Sequence, residues 1–120
     1  MIRGTTPDYI LTLPGVDLRG ETVYVTIAQT ARGAARPADL MTGAASMRIT
    51  KTGSDLAITS DGTDTIIVFR LTQQETLALQ AKQCLIQVRF VDPNGVARAT
   101  EIKALTVEPI LLERVIQYNA

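Results

Sequence analysis

The feature that most constrains the fold is a β-hairpin signal over residues 84–107. Apolar residues alternate with others along its first arm, residues 84–91, and the turn sequence Asp-Pro-Asn-Gly follows at 92–95. A period of two on both sides of a turn is typical of antiparallel sheet and argues against an α/β arrangement. We expect one face of the first arm to lie in the core, namely Cys84, Ile86, Val88 and Phe90.

Further short strand sequences occur in the return arm of the hairpin and in the rest of the chain. Along the return arm the alternation changes phase near Ala104 and Leu105, which predicts a β-bulge. The most regular alternation outside the hairpin places Val23, Val25 and Ile27 on one face. The strands predicted outside the hairpin are residues 9–13, 21–29, 47–51, 55–59 and 65–71.

One segment departs from the strand pattern and predicts a helix. Residues 72–75, Thr-Gln-Gln-Glu, have the spacing of a capping box, so we expect a short helix over residues 73–79. About six to eight short strands with frequent turns indicate an all-β fold, either an antiparallel β-sandwich or a small barrel. A length of 120 residues fits one domain covering residues 1–120.

A long loop is predicted at residues 30–46. This segment is rich in Ala and Gly and contains Arg32 and Arg36. Loops longer than about 12–15 residues are uncommon in compact domains and are often functional. Two interpretations remain open, a tolerated surface insertion or a contact loop in which Arg32 and Arg36 bind a protein partner.

The residues that follow Pro109 form an apolar C-terminal tail, residues 110–120. Its large apolar side chains recur at near-helical spacing, but its last residues fit an extended conformation equally well. An exposed apolar segment on a small domain is typical of a surface held against another protein. We therefore expect the tail to contact a partner through Leu111, Leu112, Val115 and Ile116.

Composition excludes several classes of partner and location. The chain has 12 basic and 12 acidic residues, which argues against nucleic acid as the main partner and against electrostatic attraction to a membrane. No apolar run approaches the ~20 residues of a membrane span, and the N-terminus lacks the apolar core of a signal peptide. The single cysteine, Cys84, forms no intramolecular disulfide and is expected in the core.

No catalytic or cofactor motif is evident in the sequence. The chain contains no histidine, which excludes Ser-His-Asp and Cys-His arrangements and nearly all zinc sites. Glycine-rich nucleotide-binding loops are also missing. Asp61, Asp64 and Asp92 lie in predicted turns, where aspartate usually binds its own backbone. We therefore expect a protein that is not an enzyme, with no cofactor, no metal and no small-molecule substrate.

A family resemblance covers nearly the whole chain. Its segments begin with Met-Ile-Arg-Gly-Thr-Thr-Pro at residues 1–7 and Leu-Thr-Leu-Pro at 11–14, and continue at residues 23–29, 51–56, 71–77, 86–90 and 99–112. In these segments the sequence resembles a group of small proteins encoded in the tail-gene regions of phages and prophages. The chain departs from that group at residues 30–46, where the group has a short link. In strand order and in its Thr-Gln-Gln-Glu-Thr-Leu turn, the group is similar to the immunoglobulin-like N-terminal domain of phage upper baseplate proteins.

The resemblance implies an antiparallel immunoglobulin-like β-sandwich and a structural role. Such a protein is a virion assembly subunit, associated with the tail or baseplate, that acts through protein–protein contacts. Its partners are other virion subunits, with a homo-oligomer as a further possibility, and its location is the host cytoplasm during assembly and then the virion. The alternative is an adhesion module that binds carbohydrate or a surface protein, which the low aromatic content of 4% disfavours.

Overall fold

The structure is a computed structural model that describes residues 1–30, 33–34, 36–41 and 47–118. Two antiparallel sheets face each other across one hydrophobic core, so the predicted all-β sandwich is confirmed. The elements, in chain order, are β1 Asp8–Leu13, β2 Thr22–Gln29, α1 Pro37–Met41, β3 Met47–Thr52, β4 Leu56–Ser60, β5 Thr65–Arg70, α2 Gln73–Ala78, β6 Gln83–Val91, β7 Ala97–Ala99 and β8 Lys103–Thr106.

The strand order is that of an immunoglobulin-like sandwich. The small sheet has the order β1-β5-β4, and the large sheet has the order β3-β2-β6 followed by β7 and β8, which both pair with β6. These orders match strands B-E-D and C′-C-F-G of immunoglobulin domains. A 3-10 turn at Gly53–Asp55 carries the chain from β3 in the large sheet to β4 in the small one. The Asp-Gly turn after β4 then closes a hairpin, β4–β5.

The core is built from the inward faces of both sheets. Val25 and Ile27 of β2 and Ile67 of β5 are almost completely buried. The strand faces expected to be buried on β2 and β6 are buried as predicted, including Cys84. Period-two alternation therefore correctly located these parts of the core.

The 84–107 hairpin forms, but the return arm is broken into β7 and β8. Ala99 pairs with Arg89 and Lys103 pairs with Ile86, so three residues of the return arm oppose two residues of β6. The extra residue lies within residues 100–102, and not near Ala104 and Leu105 where the phase change was predicted. Thr100 accounts for the position, because its side-chain oxygen and its backbone N–H bind the N–H and C=O of Val88, respectively.

Helix α2 is short and strongly capped, as predicted. Thr72 accepts a hydrogen bond from the backbone N–H of Glu75, and Glu75 accepts one from the backbone N–H of Thr72. The same Glu75 carboxylate binds Lys51 of β3 at 2.8 Å, in a pair whose side chains are only 13% and 25% exposed. This ion pair joins α2 to the large sheet.

The two segments that the sequence left ambiguous have different outcomes. Within the predicted 30–46 loop, the described residues include the short helix α1. The described tail, residues 110–118, contains neither helix nor strand. The near-helical spacing of apolar residues in the tail therefore does not correspond to a helix. Residues 111–118 are all exposed, and a short segment without tertiary packing rarely forms a stable helix.

Candidate functional site

The first predicted contact region, the 30–46 loop, is only partly described. Arg32 lies outside the described residues. Arg36 is exposed, and its guanidinium forms an ion pair with Asp39 of α1 at 3.4 Å. The Asp39 carboxylate also accepts the backbone N–H of Arg36 at 2.9 Å. Arg36 thus stabilises the start of α1, and its role as a partner anchor stays a prediction.

The second predicted contact region, the tail, exposes its apolar side chains. Leu111 is fully exposed, and about half or more of each of Leu112, Val115 and Ile116 is accessible. Burying one such side chain completely is worth about 1.5–3 kcal/mol. Every residue from 111 to 118 is exposed and the last core residue is Val107, so these residues contribute nothing to the core.

The tail is nevertheless attached to the domain through polar contacts. The Gln73 side chain of α2 binds both backbone groups of Ile116, donating to its C=O at 2.9 Å and accepting its N–H at 2.8 Å. A backbone held in this way leaves its side chains pointing to solvent. The tail is therefore fixed by its main chain, while its apolar surface remains available.

Arg3 binds the tail at Glu113. Its guanidinium donates to the Glu113 carboxylate at 2.6 Å and to the C=O of Leu77 at the end of α2 at 2.7 Å. The Arg3 side chain is only 15% exposed, whereas that of Glu113 is 60% exposed. A cation at the C-terminus of a helix also interacts favourably with the free carbonyl groups there.

A groove of about 500 Å³ lies between β1 and the return arm. We call it the edge groove. It exists because the small sheet has three strands and the large sheet has four strand positions, which leaves one position beside β1 without a strand. Residues 1–3 pair instead with the return arm of the large sheet, where Ile2 forms a parallel bridge with Glu108. The lining of the edge groove combines apolar side chains with polar ones, and includes Leu11, Leu13, Val88, Gln87, Glu101 and Lys103.

The backbone of β1 is open toward the edge groove. Leu71 N–H donates to Pro7 C=O, so the odd-numbered residues of β1 exchange hydrogen bonds with β5. The N–H and C=O groups of Asp8, Ile10 and Thr12 therefore point away from β5. No described residue pairs with these groups, which gives β1 a free edge six residues long.

Nothing in β1 protects this free edge. Natural edge strands carry lysines, prolines, bulges or inward-pointing charges that block pairing with another chain. β1 has the sequence Asp-Tyr-Ile-Leu-Thr-Leu, and its one charged residue, Asp8, is bound to Arg70 on the outer face. Ile10 is 68% exposed and Ile66 of β5 is 43% exposed on the same outer face. The outer face beside the edge thus exposes two large apolar side chains.

The acidic residues of the turns have structural roles. Asp61 accepts the backbone N–H groups of Thr63 and Asp64, both at 2.8 Å, and these bonds lower the pKa of the Asp61 carboxyl. Asp92 binds the N–H groups of its own turn in the same way. Arg19 lowers the pKa of Asp17 through paired hydrogen bonds. These carboxylates are bound by local hydrogen-bond donors, as expected for Asp61 and Asp92.

The described residues offer no arrangement for metal or thiol chemistry. They contain no group of three or more side chains that could hold a metal ion. Cys84 is buried, and burial raises the pKa of its thiol to about 11. A thiol with so little thiolate at neutral pH is a poor nucleophile. No helix among the described residues is long and apolar enough to cross a membrane.

The predicted alternative, carbohydrate binding, depends on exposed aromatic rings. Tyr24 lies on the outer face of β2 beside Arg89, at the rim of a shallow depression. Tyr9 instead packs on Phe69, with a distance of 5.5 Å between ring centroids. Phe90 also lines the depression but is only 5% exposed, so Tyr24 presents one exposed ring there, beside a cation.

Sequence reasoning placed the tail at the surface but missed the edge groove. Arg36 forms an ion pair with Asp39, whereas the tail binds Gln73 and Arg3. The two predicted contact regions therefore bind different residues. One signal for the groove was present in β1, where Ile10 interrupts the alternation between apolar and polar residues. An apolar residue on the outer face of a strand marks a surface that another segment can cover.

Comparison with protein-family models, with curated proteins and with solved structures gives no match for this chain. The resemblance to phage tail-region proteins therefore stays a prediction.

Proposed function

We propose that this protein is a non-enzymatic structural subunit that acts through contacts with other protein chains. The observation that carries this proposal is that one small domain has two surfaces open to another chain. One is the free edge of β1 beside the edge groove, and the other is the exposed apolar tail. Either surface is a liability for a protein that works alone, because both favour association.

The setting that fits such a subunit best is a phage or prophage particle, at the tail or baseplate. Support comes from the resemblance of residues 1–7, 71–77 and 86–90 to tail-region proteins and from the immunoglobulin-like strand order. A fold does not determine a function, so the support for an assembly role comes from the two surfaces and not from the sandwich itself. The other virion subunits are then the partners.

Mass spectrometry of purified particles tests the virion role. Particles from an induced host that carries the gene are separated on a density gradient, and tryptic peptides of this chain are quantified against a known tail protein. We expect the chain to co-purify with particles at a constant ratio across the peak. Its absence from particles that contain the other tail proteins would disprove the role.

Substitutions in the tail test the assembly mechanism. A variant with four substitutions in the tail, Leu111, Leu112, Val115 and Ile116 each to Ser, removes exposed apolar groups without changing the core. We expect this variant to fold normally but to be lost from particles. A matched variant with Tyr24→Ser on the outer face of the large sheet should be retained, and loss of both variants to the same extent would contradict the assignment to the tail.

A further inference from the structure

We propose that the tail of one copy inserts as an extended strand into the edge groove of a second copy, beside β1. This inference deepens the proposed function, on which it rests, by naming a second copy of the chain as one partner. It is measured on the purified protein alone. A failure to self-associate would therefore leave the virion role standing, and absence from particles would leave self-association standing.

The shape of the edge groove selects a single strand. It lies where one strand position is missing, with the free edge of β1 on one side and the return arm on the other. A strand that is part of a complete β-sandwich is covered by a second sheet of that sandwich, and this second sheet would collide with the return arm. A lone extended segment fits the position, because it carries no second layer.

The chemistry of the edge groove matches an extended apolar segment. The N–H and C=O groups of Asp8, Ile10 and Thr12 supply main-chain hydrogen bonds to a strand. Apolar side chains of both sheets form the floor, including Leu13 and Val88. Backbone pairing would give affinity, and alternate side chains of the inserted strand would enter the groove.

The tail has the complementary properties. It has no regular secondary structure, its apolar side chains are exposed, and alternate positions from Ile110 to Tyr118 are apolar except Arg114. Its two charged residues, Glu113 and Arg114, are opposite in sign to Lys103 and Glu101 in the lining of the groove. The tail therefore supplies an extended apolar segment, and the edge groove supplies free backbone groups and apolar side chains to bind it.

A second copy is favoured over the molecule's own tail. The tail leaves the return arm beyond Glu108, whose backbone is paired with residues 1–3. From there it is bound to α2 through Gln73 and to Arg3. The return arm lines the edge groove with residues 100, 101 and 103, so the molecule's own tail would have to reverse its direction beyond Glu108 to enter it. The tail of a second copy needs no such reversal.

Such a contact is heterologous, since different surfaces of the two copies meet. It closes into a ring or a reciprocal dimer where the geometry permits, and it otherwise continues as a filament. A single strand six residues long buries less than a standard interface, so one contact is weak in dilute solution. Repeated contacts within an assembly raise the effective affinity.

A mixing experiment with two defective chains tests the proposal. The first is the full chain with Thr12→Pro, which removes a free-edge N–H without removing a bond to β5 and leaves the tail intact. The second ends at Ile110, which removes the tail, whose described residues 111–118 are all exposed, and leaves the edge groove intact. Circular dichroism and thermal melting establish that each is folded, and Ile10→Pro replaces Thr12→Pro if that chain does not fold.

We expect each defective chain to sediment as a monomer and the mixture to form a 1:1 complex at concentrations up to about 1 mM. The full chain with Ile58→Pro, which alters the free edge of β4 instead, should self-associate like the unmodified protein. The proposal is wrong if the mixture stays monomeric while both chains are folded. Self-association of the chain that ends at Ile110, or of the Thr12→Pro chain, would overturn it equally.

Discussion

Replacing Gln73 by Ala should release the tail without destabilising the fold. The Gln73 side chain makes two hydrogen bonds to the backbone of Ile116, at 2.9 and 2.8 Å, and both are at the surface. A hydrogen bond contributes about 0.5–1.5 kcal/mol net, and solvent exposure favours the lower half of that range. Their joint loss is then about 1–2 kcal/mol, which raises the population of released tail about 5–30-fold.

Hydrogen exchange measures this release directly. We expect the backbone N–H of Ile116 to exchange about 5–30-fold faster in Gln73→Ala, because that N–H loses its acceptor. The melting temperature should stay unchanged, since Ala is a good helix former and no buried group is removed. Gln74→Ala is the matched control, as Gln74 is an exposed neighbour on α2 without a bond to the tail.

The same variant links the release of the tail to assembly. If the tail must leave Gln73 before it enters a second copy, the apparent dissociation constant falls in proportion to the released population. Sedimentation of Gln73→Ala should therefore show association at lower concentration than Gln74→Ala. Unchanged exchange at Ile116 would refute the described tail contact. Faster exchange with unchanged association would refute the coupling of release to assembly.

Three further predictions concern stability and reactivity. Thr72→Ala should lower the free energy of unfolding in urea by about 1 kcal/mol, because the N-cap of α2 is lost. Thr72→Ser should restore most of that free energy, and an equal loss in both variants would contradict the capping role. Burial raises the pKa of Glu75, but bonds from Lys51 and Thr72 outweigh it and leave the pKa below its ordinary value of 4.5. The charge of Glu75 therefore stabilises the fold above about pH 4.5, and this stabilisation is lost as the pH falls through the lower folded pKa. Glu75→Gln should flatten the dependence of melting temperature on pH between 6 and 3, and an unchanged slope would count against the ion pair. Cys84 should resist thiol reagents at pH 8 in the folded protein and react in 8 M urea, and rapid labelling of the native chain would show that the thiol is accessible.

The parts of the fold that local patterns determine were predictable. Alternation located the buried faces of β2 and β6, including Val25 and Cys84, because residues that face the core recur at every second position of a strand. The capping box located α2, because Thr72 and Glu75 satisfy each other's backbone groups without help from distant residues. These features depend on neighbours within a few positions.

Features that depend on distant parts of the chain were not predictable. The bulge falls within residues 100–102 because Thr100 binds Val88 across the sheet, which the phase of the return arm alone did not locate. The edge groove arises from the unequal number of strands in the two sheets, and no single segment encodes that number. The apolar spacing of the tail was compatible with a helix, but its backbone is bound by Gln73 in an irregular conformation.

The central claim is that the free edge of β1 is a binding surface for another chain. Hydrogen exchange of β1 in the unmodified protein, measured over a dilution series, tests it most directly. We expect the N–H groups of Ile10 and Thr12 to become protected as concentration rises, while those of Leu11 and Leu13, which are bound to β5, stay protected throughout. Rapid exchange of Ile10 and Thr12 at every concentration, including within isolated particles, would contradict the claim.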